Sequence, residues 1–257
     1  MKNQLLTIKD YYNNKNDNRD PWYRFKKVLN IINQKTRSSK IQLRVLDLGC
    51  QMGQLIKLLP RLNVVNVVGI DDYDPENLFE IAKIHFDIDI KNINEVFDGS
   101  WEYVQRRLDE TGISLNVKFD IITALEIIEH MIDTDFFIND CKRHLKENGI
   151  IVISTPNINS LRNRILVPLG IYPAGIEYKN IIHHVRIYNI NTLISHFKEH
   201  GFHPIKIIGV NFLPESLLKY SFARLIDSFM TSALPSFCGN IIIAFSTTSK
   251  ETLQESH

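Results

Sequence analysis

Residues 45–53 read Val-Leu-Asp-Leu-Gly-Cys-Gln-Met-Gly, between the apolar end of one segment and the apolar start of the next. An acid and two glycines at the exit of a buried-type strand leave few folds open. Glycine lets the backbone turn sharply and brings N–H groups close to a ligand. Residues 55–59 then read as the start of a helix, whose first N–H groups have no partner within the helix. Strand, glycine turn and helix in this order are how an α/β sheet cradles a nucleotide-like ligand. Taken alone, the loop suits a dinucleotide equally well.

The rest of the chain repeats the alternation. Apolar runs at 43–48, 64–70, 86–90, 119–125, 150–154, 204–210 and 240–246 read as strands. Helices are expected over 21–33, 75–83, 100–110, 134–145 and 191–200, with Pro75 in a first turn, Asn148-Gly149 as a turn, and Gly112 and Gly201 as stops. Strands and helices of these lengths in alternation indicate a parallel, doubly wound α/β sheet. The expected organisation is an N-terminal leader and helix over 1–40 and a domain over 41–247. That domain carries a lid insertion at about 157–186 and an apolar helical segment at about 213–237, and a disordered tail follows at 248–257. The charged run 102–110 reads as a solvated helix face.

Composition excludes several classes. At 257 residues the chain fits one large domain, and a net charge of +1 supplies no global field toward nucleic acid or anionic lipid. Cys50, Cys141 and Cys238 form no Cys-x-x-Cys pair, so neither a zinc knuckle nor a disulfide framework is indicated, and a reducing, cytoplasmic setting is expected. The polar, Asn-rich start has no apolar signal core, and no apolar run is long enough to predict a transmembrane helix.

Three further motifs follow the glycine loop. They are Val68-Gly69-Ile70-Asp71, Phe119 to Leu125 continued by Glu126-Ile127-Ile128-Glu129-His130, and Leu145-Lys146-Glu147-Asn148-Gly149 leading to Ser154-Thr155-Pro156-Asn157. In this order and spacing the four elements resemble the class I S-adenosylmethionine-dependent methyltransferases, over roughly residues 42–247. The Glu-x-x-Glu-His and Ser-Thr-Pro-Asn elements resemble the branch that includes ubiquinone-pathway, sugar and natural-product O-methyltransferases and the small-RNA 3′-end enzymes. One departure stands out: Gln51 occupies a position where that family usually has glycine.

The resemblance implies a Rossmann-like sheet of seven mostly parallel strands with an antiparallel last strand, and S-adenosyl-L-methionine as cofactor. It assigns Asp47, Gly49, Cys50, Gln51 and Gly53 to the loop around the donor's amino-acid portion. Asp71, helped by Asp72, is expected at the ribose hydroxyls, Asp89 at the adenine amino group, and Leu125 at backbone contacts. Arg24 is expected either to clamp the donor carboxylate or to lie on a solvated helix face.

Methyl transfer displaces a neutral sulfide from a sulfonium, so the protein aligns the partners and takes a proton when the acceptor is a hydroxyl. Glu129 and His130, just past the fourth main strand, with His184, are the candidate catalytic groups; the bland alternative for His130 is a helix cap or packing under the lid. The resemblance also implies a second use, a divalent ion on Glu126, Glu129, His130 and one of His183 or His184, although His183 to Tyr188 also resembles an element of metal-free relatives. The expected partner is a small-molecule acceptor; the alternatives are a metal-dependent RNA 2′-O-methyltransferase and a non-catalytic binding module. Residues 213–237 are expected to pack over the sheet or in a homodimer. The other reading is a peripheral lipid contact, with Lys219 and Arg224 at the headgroups.

Overall fold

The computed structural model describes residues 6–7, 22–38, 42–59, 64–77, 80, 82–83, 88–90, 92–173 and 184–247. Most of the expected leader, the tail, and residues 174–183 of the expected lid, His183 among them, lie outside these.

The first long element is helix α1 (Trp22–Ser38), which buries Val28, Ile31 and Ile32 and ends with Lys35 and Arg37 in its last turn. Cations there oppose the helix dipole's negative end, and the helix runs past the expected residue 33. Strand β1 (Leu43–Leu48) leads through the glycine loop into the short helix α2 (Gln54–Leu58), and β2 (Val64–Asp71) follows.

The next stretch departs from expectation. Residues 100–110 do not form a helix; they give β3 (Glu102–Gln105) and the one-turn helix α3 (Leu108–Thr111). β3 pairs in parallel with β2 from Val68↔Glu102 to Asp71↔Gln105, and the Arg106 N–H donates to the Asp71 carbonyl at 2.7 Å. Of the charged run, Glu102 lies on this edge strand, where polar side chains are tolerated, Arg106 and Arg107 follow it, and Asp109 and Glu110 lie on α3. The strand expected at 86–90 shortens to Ile88–Asp89, which pairs with Leu6–Thr7 as a separate two-stranded sheet.

β4 (Phe119–Leu125) is followed by α4 (Thr134–His144), capped by the Asp133 carboxylate accepting from the Phe136 N–H. β5 (Leu145–Pro156) absorbs the expected Asn148-Gly149 turn as a jump in register: Phe119 faces Leu145, but Ile121 already faces Ile150. Then come α5 (Leu161–Leu166), α6 (Ile190–Glu199), β6 (His203–Val210), α7 (Ser221–Ala233) and β7 (Asn240–Ser246).

The main sheet has the order β3-β2-β1-β4-β5-β7-β6, and β7 runs antiparallel to both of its neighbours. This is the α/β architecture expected from sequence, seven mostly parallel strands with an antiparallel last one. β4 and β7 are apolar and buried almost throughout, as strands covered on both faces must be. The chain passes from β1 outward through β2 to β3, then returns to β4 on the other side of β1. Ligands bind such sheets in the crevice where that order reverses, beyond the carboxyl ends of the strands.

Candidate functional site

The crevice is a cavity of about 840 Å³ lined by Arg24, Asp47, the glycine loop, Asp71 to Tyr73, Arg106 to Asp109, Leu125 to Ile127 and His130 to Ile132. Its floor is the loop after β1. Gly49 takes φ +71°, and a Cβ there would lie 2.0 Å from Ile127 Cδ1, so any other residue would be strained and would have to displace the Ile127 side chain. The Gly49 and Cys50 N–H groups both donate to the Ile70 carbonyl, at 2.8 and 3.2 Å, tying the loop to β2.

Gln51 also lies in the left-handed region, at φ 47°. Glycine enters that region freely, while another residue pays about 1–2 kcal/mol, which accounts for the family's usual glycine at this point. Here the strained residue is held from outside: its N–H donates to Asp71 Oδ2 at 2.7 Å. Gly53, at φ 71°, begins α2 beneath the loop against the Trp101 ring and lies outside the cavity wall.

Three acids line the loop side. Asp47, 4% exposed, accepts from the Thr123 hydroxyl at 2.6 Å, yet burial pushes its carboxyl up to about 7. Asp71 is buried rather than solvated, and accepts the Asp72 N–H at 2.9 Å besides that of Gln51. Burial raises it to about 6, opposed by the Gln51 N–H. Asp72 is exposed at the rim.

Arg24 is not solvated either. It is buried, and its guanidinium pairs with Glu126 Oε1 at 2.7 Å. Glu126, at φ 57°, also accepts from Ser154 Oγ and Asn240 Nδ2, each at 2.7 Å. Strained non-glycine backbone of this kind collects at functional sites. The pair joins α1, the end of β4, β5 and the start of β7.

On the far side stand Glu129, His130 and His184, whose ligand-type atoms all lie within 4.8 Å of one another. The two imidazoles meet edge to face with centroids 4.7 Å apart. Glu129 is 1% exposed, and neither carboxylate oxygen has a hydrogen-bond partner among the described residues. Burial, with the Glu126 charge added, holds its carboxyl well above the usual range.

The structure therefore gathers Arg24, Asp47, Gly49, Cys50, Gln51, Asp71, Asp72, Leu125 and His130 around one cavity, with Glu129 and His184 behind His130. Asp89 sits on the separate small sheet. Glu126 does not join the Glu129 cluster as expected, because Arg24, Ser154 and Asn240 occupy its oxygens. Sequence reasoning missed Tyr73 and the wall at Arg106 to Asp109. The alternation of Trp101, Tyr103 and their polar neighbours was the available signal for a strand leading to that wall.

Compared with known proteins, residues 17–207 match the family described as Methyltransferase domain. Over 201 residues the chain is 29% identical to the mitochondrial ubiquinone biosynthesis O-methyltransferase of Homo sapiens, which covers 78% of this chain and 52% of that protein. The ubiquinone biosynthesis O-methyltransferase of Bradyrhizobium diazoefficiens is 36% identical over 117 residues, 46% of this chain and 41% of the relative. The chain thus spans about half the length of the curated relatives it matches. Among solved structures, an S-adenosylmethionine-dependent methyltransferase from Clostridium acetobutylicum has a TM-score of 0.55 at 13% identity, covering 86% of this chain and 91% of its own. Magnesium protoporphyrin IX methyltransferase from Synechocystis with bound SAH has a TM-score of 0.54 at 14% identity, covering 87% and 81%. At those identities the structures speak for the fold.

Proposed function

The chain belongs to the class I S-adenosylmethionine-dependent methyltransferases, and from that premise we propose that it transfers a methyl group to a hydroxyl of a quinone-like small molecule. The observation that carries this reading is the cavity at the strand ends, walled by Asp71 and the glycine loop on one side and His130 on the other. The acceptor class is supported by the names of the relatives.

In this reading Asp71, which accepts the Gln51 N–H on Oδ2 and the Asp72 and Tyr73 N–H groups on Oδ1, keeps its remaining lone pair on Oδ2 for a ribose hydroxyl. Gly49, Cys50 and Gln51 shape the space for the donor's amino-acid end, with Asp47 ordering the loop, and Arg24, steadied by Glu126, meets the donor carboxylate. The acceptor oxygen attacks the methyl carbon, the carbon–sulfur electrons return to sulfur, and His130 takes the hydroxyl proton. Residues about 157–186 are read as a lid over the acceptor, a reading supported by Val185 in the cavity wall.

A second reading adds a divalent ion. A buried carboxylate without a hydrogen-bond partner beside two imidazoles fits such a group. Glu129, His130 and His184 would hold it, and it would lower the pKa of an acceptor hydroxyl. Nothing in the comparisons favours an RNA acceptor or a non-catalytic module.

Calorimetry with S-adenosylhomocysteine on the full chain tests the whole reading; we expect one bound molecule, and no binding refutes it. Methyl transfer to a catechol carrying an apolar chain then tests the acceptor, and loss on chelation selects the second reading.

The finer partner readings rest on α7. Among the described residues no helix is long and apolar enough to cross a membrane. α7 is nonetheless inverted: Asp227 and Thr231 face inward at 0% exposure, while Phe222, Leu225 and Phe229 face outward at 75%, 71% and 69%. Tyr23 donates to Asp227 at 2.6 Å and Lys27 to Thr231 at 2.7 Å, so the polar face is what anchors the helix. With Lys219 and Arg224 exposed alongside, this supports peripheral contact with an anionic lipid surface. Flotation with anionic vesicles, lost in Phe222→Ser/Leu225→Ser, is the expected result; concentration-dependent self-association without flotation would assign the face to a homodimer. The three cysteines are buried and unpaired, which supports a reducing setting such as the cytoplasm.

A further inference from the structure

A second group of side chains converges away from the cavity. His196 and His200 stand one turn apart at the end of α6, so their rings share a face. Asp135, in the first turn of α4, meets both: its Oδ1 lies 2.9 Å from His196 Nε2 and 2.8 Å from His200 Nε2. The other ring nitrogens are also engaged, His196 Nδ1 with the Tyr188 hydroxyl and His200 Nδ1 with Asn139 Oδ1, each at 3.0 Å.

Proton counting separates the two rings. A hydroxyl both donates and accepts, so His196 satisfies its contacts as a neutral imidazole. His200 faces an amide oxygen on one side and a carboxylate oxygen on the other, and both only accept. A neutral imidazole carries one N–H, so one contact lacks a proton unless the ring takes up a second proton, the Asn139 amide turns its N–H toward Nδ1, or a metal cation stands at Nε2. Ligating histidines show the same arrangement: one nitrogen on the metal, the other N–H donated to a fixed oxygen that sets the tautomer.

We propose that Asp135, His196 and His200 form a zinc site with an open fourth position for water. The ligand atoms lie within 4.8 Å of one another. Zinc bonds of about 2.0–2.2 Å place neighbouring ligands about 3.3 Å apart in a tetrahedron, so the present contacts need open by less than about 1 Å. Asp135 has a side chain 69% exposed and can yield that distance without repacking, while the histidines, at 18% and 14%, are held in place. An ion there would pin the start of α4 to the end of α6. Through Tyr188 it would also steady the segment that carries His184, four residues earlier.

The test is calorimetric titration of the chelator-stripped full chain with Zn²⁺, with Co²⁺ absorption as a spectroscopic check. Glu129→Gln/His184→Gln, which disables the cluster at the cavity, is expected to keep one zinc equivalent and its Co²⁺ spectrum. His196→Ala/His200→Ala is expected to lose that equivalent, and with it the rise in melting temperature that zinc gives the wild type. Should that variant not fold, Asp135→Asn, which preserves shape, is expected to weaken zinc at least about tenfold. Absence of zinc binding by the wild type, or equal binding by Asp135→Asn, overturns the site.

Discussion

On the glycine-loop side of the cavity each buried acid is answered within the protein: Asp47 accepts from Thr123, and Asp71 from the Gln51 and Asp72 N–H groups. On the opposite side Glu129, just as buried, meets no donor in good hydrogen-bond geometry among the described residues, and the nearby Thr155 hydroxyl offsets its burial only in part. Donors around a carboxylate fix the backbone that supplies them and favour its charged form; burial without donors favours the proton or a bound cation. The loop side is thus fixed by hydrogen bonds within the protein, while Glu129 is poised to keep a proton or, in the proposed second reading, to meet a cation with His130 and His184.

The largest way to break the loop side is Gly49→Ala. The added Cβ meets Ile127 at a φ that disfavours it, and we expect a loss of about 2–4 kcal/mol in melts and no measurable S-adenosylhomocysteine binding. Wild-type affinity would show the loop to be soft. Asp71→Asn keeps one acceptor oxygen, which cannot serve both the Gln51 N–H and those of Asp72 and Tyr73, so it should cost about 1–3 kcal/mol in melts while still folding. It should weaken S-adenosylhomocysteine by about 10–100-fold, the worth of charged hydrogen bonds, and unchanged calorimetry would remove Asp71 from the ribose.

Acidity probes the same side with opposite signs. Ionised Asp71 is the better ribose acceptor, so affinity should rise with pH through about 6, by about tenfold between pH 5 and pH 8. The empty protein should move the other way. Carboxyls raised from 3.8 to about 6 at Asp71 and about 7 at Asp47 contribute stability that is complete below 3.8 and lost as pH rises through those values. Matched pH trends for binding and melting would contradict this.

The opposite side predicts a smaller shift. Glu129→Gln strands no donor among the described residues, so it should leave stability unchanged or raise it by about 1 kcal/mol at pH 8 while methyl transfer falls. Marked destabilisation would reveal a partner for Glu129. Smallest is Gln51→Gly. Relief of the left-handed strain and the added chain entropy oppose each other, so denaturant melts should differ by less than about 1 kcal/mol.

The alternation of apolar runs with helix-length segments made the doubly wound sheet readable, because buried parallel strands must be apolar. The loop and Asp71 were legible for a related reason: glycine and acid at a strand exit carry a backbone requirement that sequence displays. Residues 100–110 were misread as one helix because a four-residue strand followed by a one-turn helix is too short for either period to show. The Arg24–Glu126 pair was invisible, since residues about a hundred positions apart meet only through the packing of α1 on the sheet. Gln51 had no rationale until its φ and its bond to Asp71 were seen together.

The ribosome does not make these strands in the order in which they stand. β6 is synthesised before β7, yet β7 lies between it and the rest of the sheet. A nascent chain that has delivered β6 therefore presents β5 as an open edge, an invitation to pair with the wrong chain. Asn240, the first residue of that late strand, supplies one of the donors that hold Glu126 beside Arg24. The cavity wall is thus finished only when β7 arrives, and a truncated translation product ending before it would carry both an adhesive edge and an unfinished pocket.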